Sequence, residues 1–133
     1  MDKAIDQQVR HRAGGRCEYC LMPQAASKLK FPLDHITARQ HGGKTHPDNL
    51  ALCCGRCNCH KGPNIAGIDP HTANMTRLFN PRLDRWTDHF HYQGPNLVGL
   101  TDIARATISA LNINNPYNIA ARQVLITHGE FFA

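Results

Sequence analysis

The chain has 133 residues and a net charge of +5, with 15 Lys and Arg residues against 10 Asp and Glu residues. This length suits one ordinary domain, and the 41% apolar and 19% charged composition excludes a chain that is disordered throughout. The longest apolar run, from Leu50 to Cys54, is far shorter than the ~18 residues of a membrane span, and residues 1–8 lack an apolar signal-peptide region. We therefore expect a single cytoplasmic domain over residues 1–133 with no membrane partner. The positive charge slightly favours a polyanionic partner such as nucleic acid.

The first predicted element is an amphipathic helix over residues 3–13, which Gly14-Gly15 ends. Residues 16–62 hold nearly all the side chains with chemical potential. Residues 63–83 are interrupted by proline and glycine, so we expect a connector with little regular structure.

Residues 84–133 are predicted to form a β-hairpin followed by two helices. Alternation over residues 85–92 predicts a strand, and residues 97–100 a returning strand. Thr101 is the expected N-cap of the first helix, and Asn115-Pro116 the expected start of the second. We expect this extension to share one hydrophobic core with residues 16–62.

The cysteines suggest a metal site. Cys17-x-x-Cys20 and Cys54-x-x-Cys57 are two pairs with the same short spacing, which lets both thiolates of a turn face one ion. Two such turns complete a tetrahedral zinc site, and four thiolates leave no open position for water, so this zinc is expected to be structural. Cys53 is set aside because it would leave the next cysteine at a poorer spacing. The alternative is a set of buried free cysteines without a metal.

A second group of residues suits phosphodiester hydrolysis. This reaction needs a base to activate water and a cation to stabilise charge on the phosphate. Histidine changes protonation near neutral pH, so His35 suits the base, and Asp34 with a second oxygen ligand could hold Mg²⁺ or Mn²⁺. Because neighbouring side chains of a strand point to opposite faces, Asp34 and His35 would need a bend or bulge to reach one substrate.

The order of these motifs resembles the HNH endonuclease family, the ββα-metal nucleases. The family pattern is matched across residues 17–62 by Cys-x-x-Cys, Asp34-His35-Ile36, Gly42-Gly43, Asn49-Leu50 and a final Cys-x-x-Cys-Asn-x-x-Lys. The resemblance implies a zinc-stapled ββα-metal core, and with the β-hairpin and two C-terminal helices predicted above we expect an α+β fold. Asn80-Pro81-Arg82 and the residues after it resemble the extension of some small bacterial members.

The resemblance also implies roles for individual residues. His35 is the general base, Asp34 and Asn58 are ligands of a catalytic Mg²⁺ or Mn²⁺ ion, Asn49 holds the loop that orients the base, and Lys61 lies near the phosphate. The family often has histidine where Asn58 stands, but an amide oxygen can also ligate Mg²⁺. Residues two apart on a helix point in different directions, so only one of Asn58 and His60 can face the ion, and the spacing to Lys61 favours Asn58.

The implied activity is the hydrolysis of DNA to 5′-phosphate and 3′-hydroxyl ends, with RNA left open as a substrate. Candidate contacts to the nucleic acid are Arg39, Lys44, Arg56 and Lys61. Two alternatives remain at this point. One is a zinc-dependent module that binds nucleic acid without cutting it, and the other is an interaction protein that the cysteine pairs merely stabilise.

Overall fold

The computed structural model describes residues 1–132. These residues contain three small antiparallel hairpins and five α-helices. The helices are α1 (Lys3–Arg12), α2 (Gly55–Lys61), α3 (Trp86–His89), α4 (Asp102–Ala110) and α5 (Pro116–Thr127). The strands are β1 (Leu33–His35), β2 (Leu50–Leu52), β3 (Ala66–Ile68), β4 (Met75–Arg77), β5 (Phe90–Gln93) and β6 (Asn96–Gly99). The α+β class predicted from the sequence is confirmed.

The first hairpin and the helix after it form a ββα unit. Strand β1 pairs with β2 residue by residue, from Leu33 opposite Leu52 to His35 opposite Leu50. All three residues of β2 are buried, which anchors the hairpin in the core. Cys54 follows almost directly and begins α2 as its N-cap. The short spacing between β2 and α2 therefore fixes where the helix stands relative to β1.

Side-chain caps mark the starts of three helices, and those of α4 and α5 are the ones predicted. The Asp2 carboxylate caps α1, the Thr101 hydroxyl caps α4, and the Asn115 side chain caps α5, which has Pro116 in its first turn. Each cap accepts a hydrogen bond from one of the free backbone N–H groups at the start of its helix. Gly129 adopts a positive φ of 69° just beyond α5, as a stop residue does.

The connector over residues 63–83 is more regular than predicted, because β3 and β4 pair as a hairpin within it. Buried Asp69 organises its turn by accepting hydrogen bonds from the backbone N–H of His71, the hydroxyl of Thr72 and the guanidinium of Arg105. Gly67 lets the hairpin lie close to α4, since a Cβ there would come within 3.0 Å of the Ala110 side chain. The prediction of little regular structure was wrong because packing on α4 stabilises strands of only three residues each.

The strand predicted over residues 85–92 is correct only in its second half, because residues 86–89 form the single turn α3. The turn places the Trp86 ring 5.2 Å from that of Phe90 and lets its indole N–H donate to the carbonyl oxygen of Tyr19. Aromatic packing between distant segments therefore outweighs the local alternation of residues that predicted a strand. The returning strand is confirmed as β6.

One hydrophobic cluster contains buried residues of the cysteine-rich segment and of the C-terminal extension, from Cys17 and Leu52 to Phe90 and Leu111. The shared core expected for the extension is therefore present. That residues 1–133 form a single domain stays a prediction. No helix within residues 1–132 has the length and apolar character needed to cross a membrane.

Candidate active site and metal centre

The two cysteine pairs converge, as predicted. Cys17 and Cys20 lie on a tight turn in which the N–H of Leu21 donates to the carbonyl oxygen of Cys17 at 2.9 Å. Cys54 and Cys57 lie on the first turn of α2, where the N–H of Cys57 donates to the Cys54 sulfur at 3.5 Å. All four side chains are buried, and their sulfur atoms lie within 4.8 Å of one another.

This four-cysteine centre fits a zinc ion. Zn–S bonds of about 2.3 Å in a tetrahedron give S···S separations of about 3.8 Å, and the Cys20 and Cys54 sulfur atoms are 3.7 Å apart. Burial alone would raise the pKa of Cys17, but hydrogen bonds from the neighbouring cysteines outweigh it and lower that pKa well below its usual value. Hydrogen bonds with Cys17 raise the pKa of Cys20 and of Cys57 well above the usual value, so the centre favours one thiolate, the form of cysteine that binds metal, at Cys17.

The two cysteines outside the pairs are not part of the centre. Cys53 is buried beside it, and Cys59 is exposed on α2. Neither belongs to the group of four mutually close sulfur atoms within residues 1–132. The four cysteines chosen from the spacing are therefore the four that the fold brings together, and their binding of zinc stays a prediction.

An open cleft of about 400 Å³ lies between β1 and α2. Asp34 and His35 line it from β1, and Asn58 lines it from α2. Strand pairing is one-to-one through Asp34 and His35, so there is no bulge; β1 ends at His35, and the chain bends directly afterwards. The end of the strand allows both side chains to reach one cleft, and three of the predicted site residues come together there.

Asp34 is held by two buried partners. The Tyr19 hydroxyl donates to its Oδ2 at 2.7 Å, and the Lys61 ammonium lies 3.2 Å from each carboxylate oxygen. Burial raises the pKa of Asp34 above its usual value, although Lys61 and the Tyr19 hydroxyl act in the opposite direction. Burial and the Asp34 charge raise the pKa of Tyr19 well above its usual value, so the phenol keeps its proton and donates.

Lys61 lies elsewhere than the sequence suggested. Its side chain is only 1% exposed, and besides Asp34 it donates to the carbonyl oxygens of His35 and Ile36. An ammonium group with these partners stabilises the end of β1 from within. In this structure Lys61 does not face the solvent that a phosphate would occupy.

The loop after β1 holds the His35 ring. His35 Nε2 lies 2.9 Å from the Thr45 hydroxyl. Asn49 fixes the loop on both sides: its Oδ1 accepts from the N–H of Thr37, and its Nδ2 donates to the carbonyl oxygens of Thr37 and Lys44, each at 2.9 Å. Asn49 therefore holds this loop together, and that the loop orients a catalytic base stays a prediction.

The glycine pair has a steric reason. Gly42 has a φ of +89°, and a Cβ on Gly43 would overlap the carbonyl oxygen of Thr37. Only glycine at position 43 lets the loop close tightly enough for Asn49 to bridge it. The two glycines therefore shape the loop that carries Thr45.

The predicted nucleic-acid contacts differ in their settings. Arg39 is exposed and lines the cleft, and Lys44 is exposed next to Thr45. Arg56 is exposed on α2, with its guanidinium carbon 3.7 Å from the centre of the Tyr117 ring of α5. A stacked guanidinium still presents N–H groups at its edge, so all three cations are available to a ligand.

Asn58 and His60 occupy different positions on α2. Asn58 is half-buried and lines the cleft, whereas His60 is exposed and does not. Within residues 1–132 no hydrogen bond engages the Asn58 side chain. Together with the Asp34 carboxylate, its amide oxygen offers the hard oxygen donors that Mg²⁺ and Mn²⁺ prefer. The residues present therefore fit a divalent ion in the cleft.

Two residues at the site were missed from the sequence. Tyr19 lies between the first two cysteines, and this position indicates only that it belongs to the metal-binding turn. Thr45 is an exposed polar loop residue with no distinctive spacing. Only the packing of the turn and the loop against β1 reveals these contacts.

The structure thus has a buried four-cysteine centre beside a cleft that Asp34, His35 and Asn58 line, on a ββα unit. The family model described as HNH endonuclease matches residues 17–64, which confirms the resemblance over this segment. The match covers the cysteine centre, the cleft and the loop between β1 and β2, and indicates a nuclease-type domain. No curated protein and no solved structure matches the chain.

Proposed function

We propose that the protein is a metal-dependent endonuclease that hydrolyses phosphodiester bonds of DNA. The observation that carries this proposal is the convergence of Asp34, His35 and Asn58 on one open cleft. A structural or binding role needs none of these three side chains at the same place, whereas hydrolysis needs a base and oxygen ligands within reach of one phosphate.

In the proposed mechanism His35 removes the proton from the attacking water. Thr45 and the loop closed by Asn49 hold the imidazole at the mouth of the cleft. Asp34 and Asn58 would hold a Mg²⁺ or Mn²⁺ ion, which would supply charge stabilisation for the phosphate and the leaving oxygen. Attack by water then leaves 5′-phosphate and 3′-hydroxyl ends.

The remaining residues bind the nucleic acid or support the residues of the cleft. Arg39 and Lys44 contact the phosphate backbone beside the cleft, and Arg56 contacts it from α2. Lys61 acts indirectly, since its buried ammonium opposes the effect of burial on the pKa of Asp34 and holds the end of β1 in place. A structural Zn²⁺ ion at Cys17, Cys20, Cys54 and Cys57 joins the turn that precedes β1 to the first turn of α2.

Incubation of supercoiled plasmid DNA with the purified protein and Mg²⁺ or Mn²⁺ tests the proposal. We expect nicked or linear product, and we expect His35→Ala to lower the single-turnover rate about 10²–10⁴-fold without loss of fold or DNA binding. His41→Ala is the matched control, because His41 is exposed on the loop that follows β1 and lies outside the cleft lining.

Two results would contradict an endonuclease acting through His35. His35→Ala protein that cleaves like wild type removes His35 from the mechanism. Salt-sensitive DNA binding with no cleavage in either metal supports the non-catalytic binding module instead. A parallel reaction with single-stranded RNA decides whether RNA is also a substrate.

A further inference from the structure

Tyr19 directly connects the four-cysteine centre with the candidate catalytic carboxylate. It lies between Cys17 and Cys20, it is fully buried, and its hydroxyl donates to Asp34 Oδ2 at 2.7 Å. A single side chain thus spans from the metal-binding turn to the cleft.

The turn that carries Tyr19 is firmly attached to the ββα unit. The N–H of Glu18 donates to the carbonyl oxygen of Leu52 on β2, and the N–H of Leu52 donates to the Glu18 carboxylate, each at 2.8 Å. The Tyr19 ring packs edge-on against Phe79, with ring centres 6.4 Å apart. The phenol therefore reaches Asp34 from a fixed starting point.

The other partner of Asp34 does not fix the rotation of the carboxylate. Lys61 lies equally far, 3.2 Å, from Oδ1 and Oδ2, so its attraction distinguishes poorly between carboxylate orientations. The Tyr19 hydroxyl bonds only Oδ2. An ionised carboxylate has about four lone-pair directions, so an ion can still bind Asp34 while both partners stay in place.

We propose that Tyr19 is a positioning residue that fixes the Asp34 carboxylate for the divalent ion and couples the order of the cysteine centre to ion binding in the cleft. This inference rests on the proposed function only through the assignment of Asp34 as an ion ligand. Hydrogen-bond partners of metal ligands typically contribute 10–100-fold to metal affinity.

The test is Tyr19→Phe, which removes the hydroxyl and keeps the ring. The matched control is Tyr92→Phe, because the Tyr92 hydroxyl donates to the carbonyl oxygen of Cys20 in the same turn and does not contact Asp34. Mn²⁺ affinity is measured on the zinc-loaded protein by electron paramagnetic resonance of the free ion. Zinc content and circular dichroism monitor the fold.

We expect Tyr19→Phe to retain zinc and to raise the Mn²⁺ dissociation constant about 10–100-fold, while Tyr92→Phe binds Mn²⁺ like wild type. The Mg²⁺ concentration that gives half-maximal plasmid cleavage should rise by a similar factor, with the rate largely restored at saturating Mg²⁺. Replacing Tyr19 with 4-aminophenylalanine keeps a donor at the same position, so it should recover much of the affinity.

Unchanged Mn²⁺ affinity in Tyr19→Phe, or an equal loss in Tyr92→Phe, would overturn the inference. If Tyr19→Phe does not fold, the variant with 4-aminophenylalanine at position 19 is compared with Asp34→Asn instead. The proposal is overturned if the 4-aminophenylalanine variant binds Mn²⁺ no more tightly than Asp34→Asn does. If the wild-type protein binds Mn²⁺ but cleaves no nucleic acid, only the proposed function is contradicted. The ratio of the Mn²⁺ affinities of wild type and Tyr19→Phe still measures how far Tyr19 positions Asp34. Wild-type protein that binds no Mn²⁺ overturns both.

Discussion

Lys61 shows how burial changes the meaning of a residue. As part of the Cys57-Asn58-x-x-Lys61 pattern it suggests a phosphate contact, yet its ammonium is enclosed by Asp34 and two backbone carbonyl groups. Removing one member of a buried ion pair leaves the other charge without compensation. Its contribution is therefore expected to appear in stability before it appears in binding.

We expect Lys61→Met to lower the free energy of unfolding by about 3–5 kcal/mol, because Asp34 would remain buried without its partner. Urea denaturation followed by circular dichroism measures the change. Arg39→Met, at an exposed position of the cleft, is the control and should unfold like wild type. A Lys61→Met protein of normal stability with weakened DNA binding would return Lys61 to the role of a phosphate contact.

Asn58 and His60 allow a separate test on the same helix. Asn58→Ala removes an oxygen donor from the cleft, so half-maximal cleavage should require about tenfold or more Mg²⁺. His60→Ala should change neither the rate nor the Mg²⁺ requirement, since His60 lies outside the cleft. Titration of Mg²⁺ in the plasmid assay compares the two, and the reverse ranking would make His60 the ligand.

At the scale of elements, the loop between β1 and β2 holds the side chain of His35, the proposed general base. Asn49 makes three hydrogen bonds to the backbone of this loop, at Thr37 and Lys44. Thr45, the next residue after Lys44, contacts the imidazole. The position of the base therefore depends on side-chain bonds to the backbone rather than on a long sheet.

Asn49→Ala should loosen this loop, with faster hydrogen exchange at the N–H of Thr37 and a cleavage rate about 10²-fold lower, the scale of effect known for a displaced catalytic group. Asn49→Asp is the control variant, because it keeps an acceptor for the Thr37 N–H and loses the donors to the two carbonyl groups. The N–H of Thr37 should exchange more slowly in Asn49→Asp than in Asn49→Ala. Equal exchange in wild type and Asn49→Ala would show that the loop is held by other contacts.

At the scale of the whole molecule, the cysteine centre joins segments 37 residues apart, from Cys17 to Cys54. Its ligands also belong to the hydrophobic cluster that includes Phe90 and Leu111 of the C-terminal extension. Loss of the metal should therefore affect the extension as well as the ββα unit.

We expect about one Zn²⁺ per purified chain, and we expect chelation or Cys17→Ser to cause cooperative loss of structure, because metal binding and folding are coupled. Elemental analysis and thermal unfolding by circular dichroism provide the measurements. Cys59→Ser is the matched control, since Cys59 is exposed and outside the centre. Folded, soluble protein without bound metal would contradict a structural zinc.

The sequence by itself indicated the four cysteines that the fold brings together, the caps of α4 and α5, and the Asp34-His35 pair. These features depend on short spacings: two cysteines on one turn, a capping side chain before a helix, and Asp34 next to His35 on a strand. Such spacings fix geometry locally, so they can be read before the rest of the chain is placed.

Only the tertiary structure decided the burial of Lys61, the bond from Tyr19 to Asp34, the β3–β4 hairpin and the helical turn at Trp86. Each depends on contacts between segments far apart in the chain, such as Lys61 with Asp34 or Trp86 with Tyr19. Local propensity is weak for strands of three residues and for one-turn helices, so packing energy decides their conformation. A pattern of neighbouring residues carries no information about which distant side chain will enclose them.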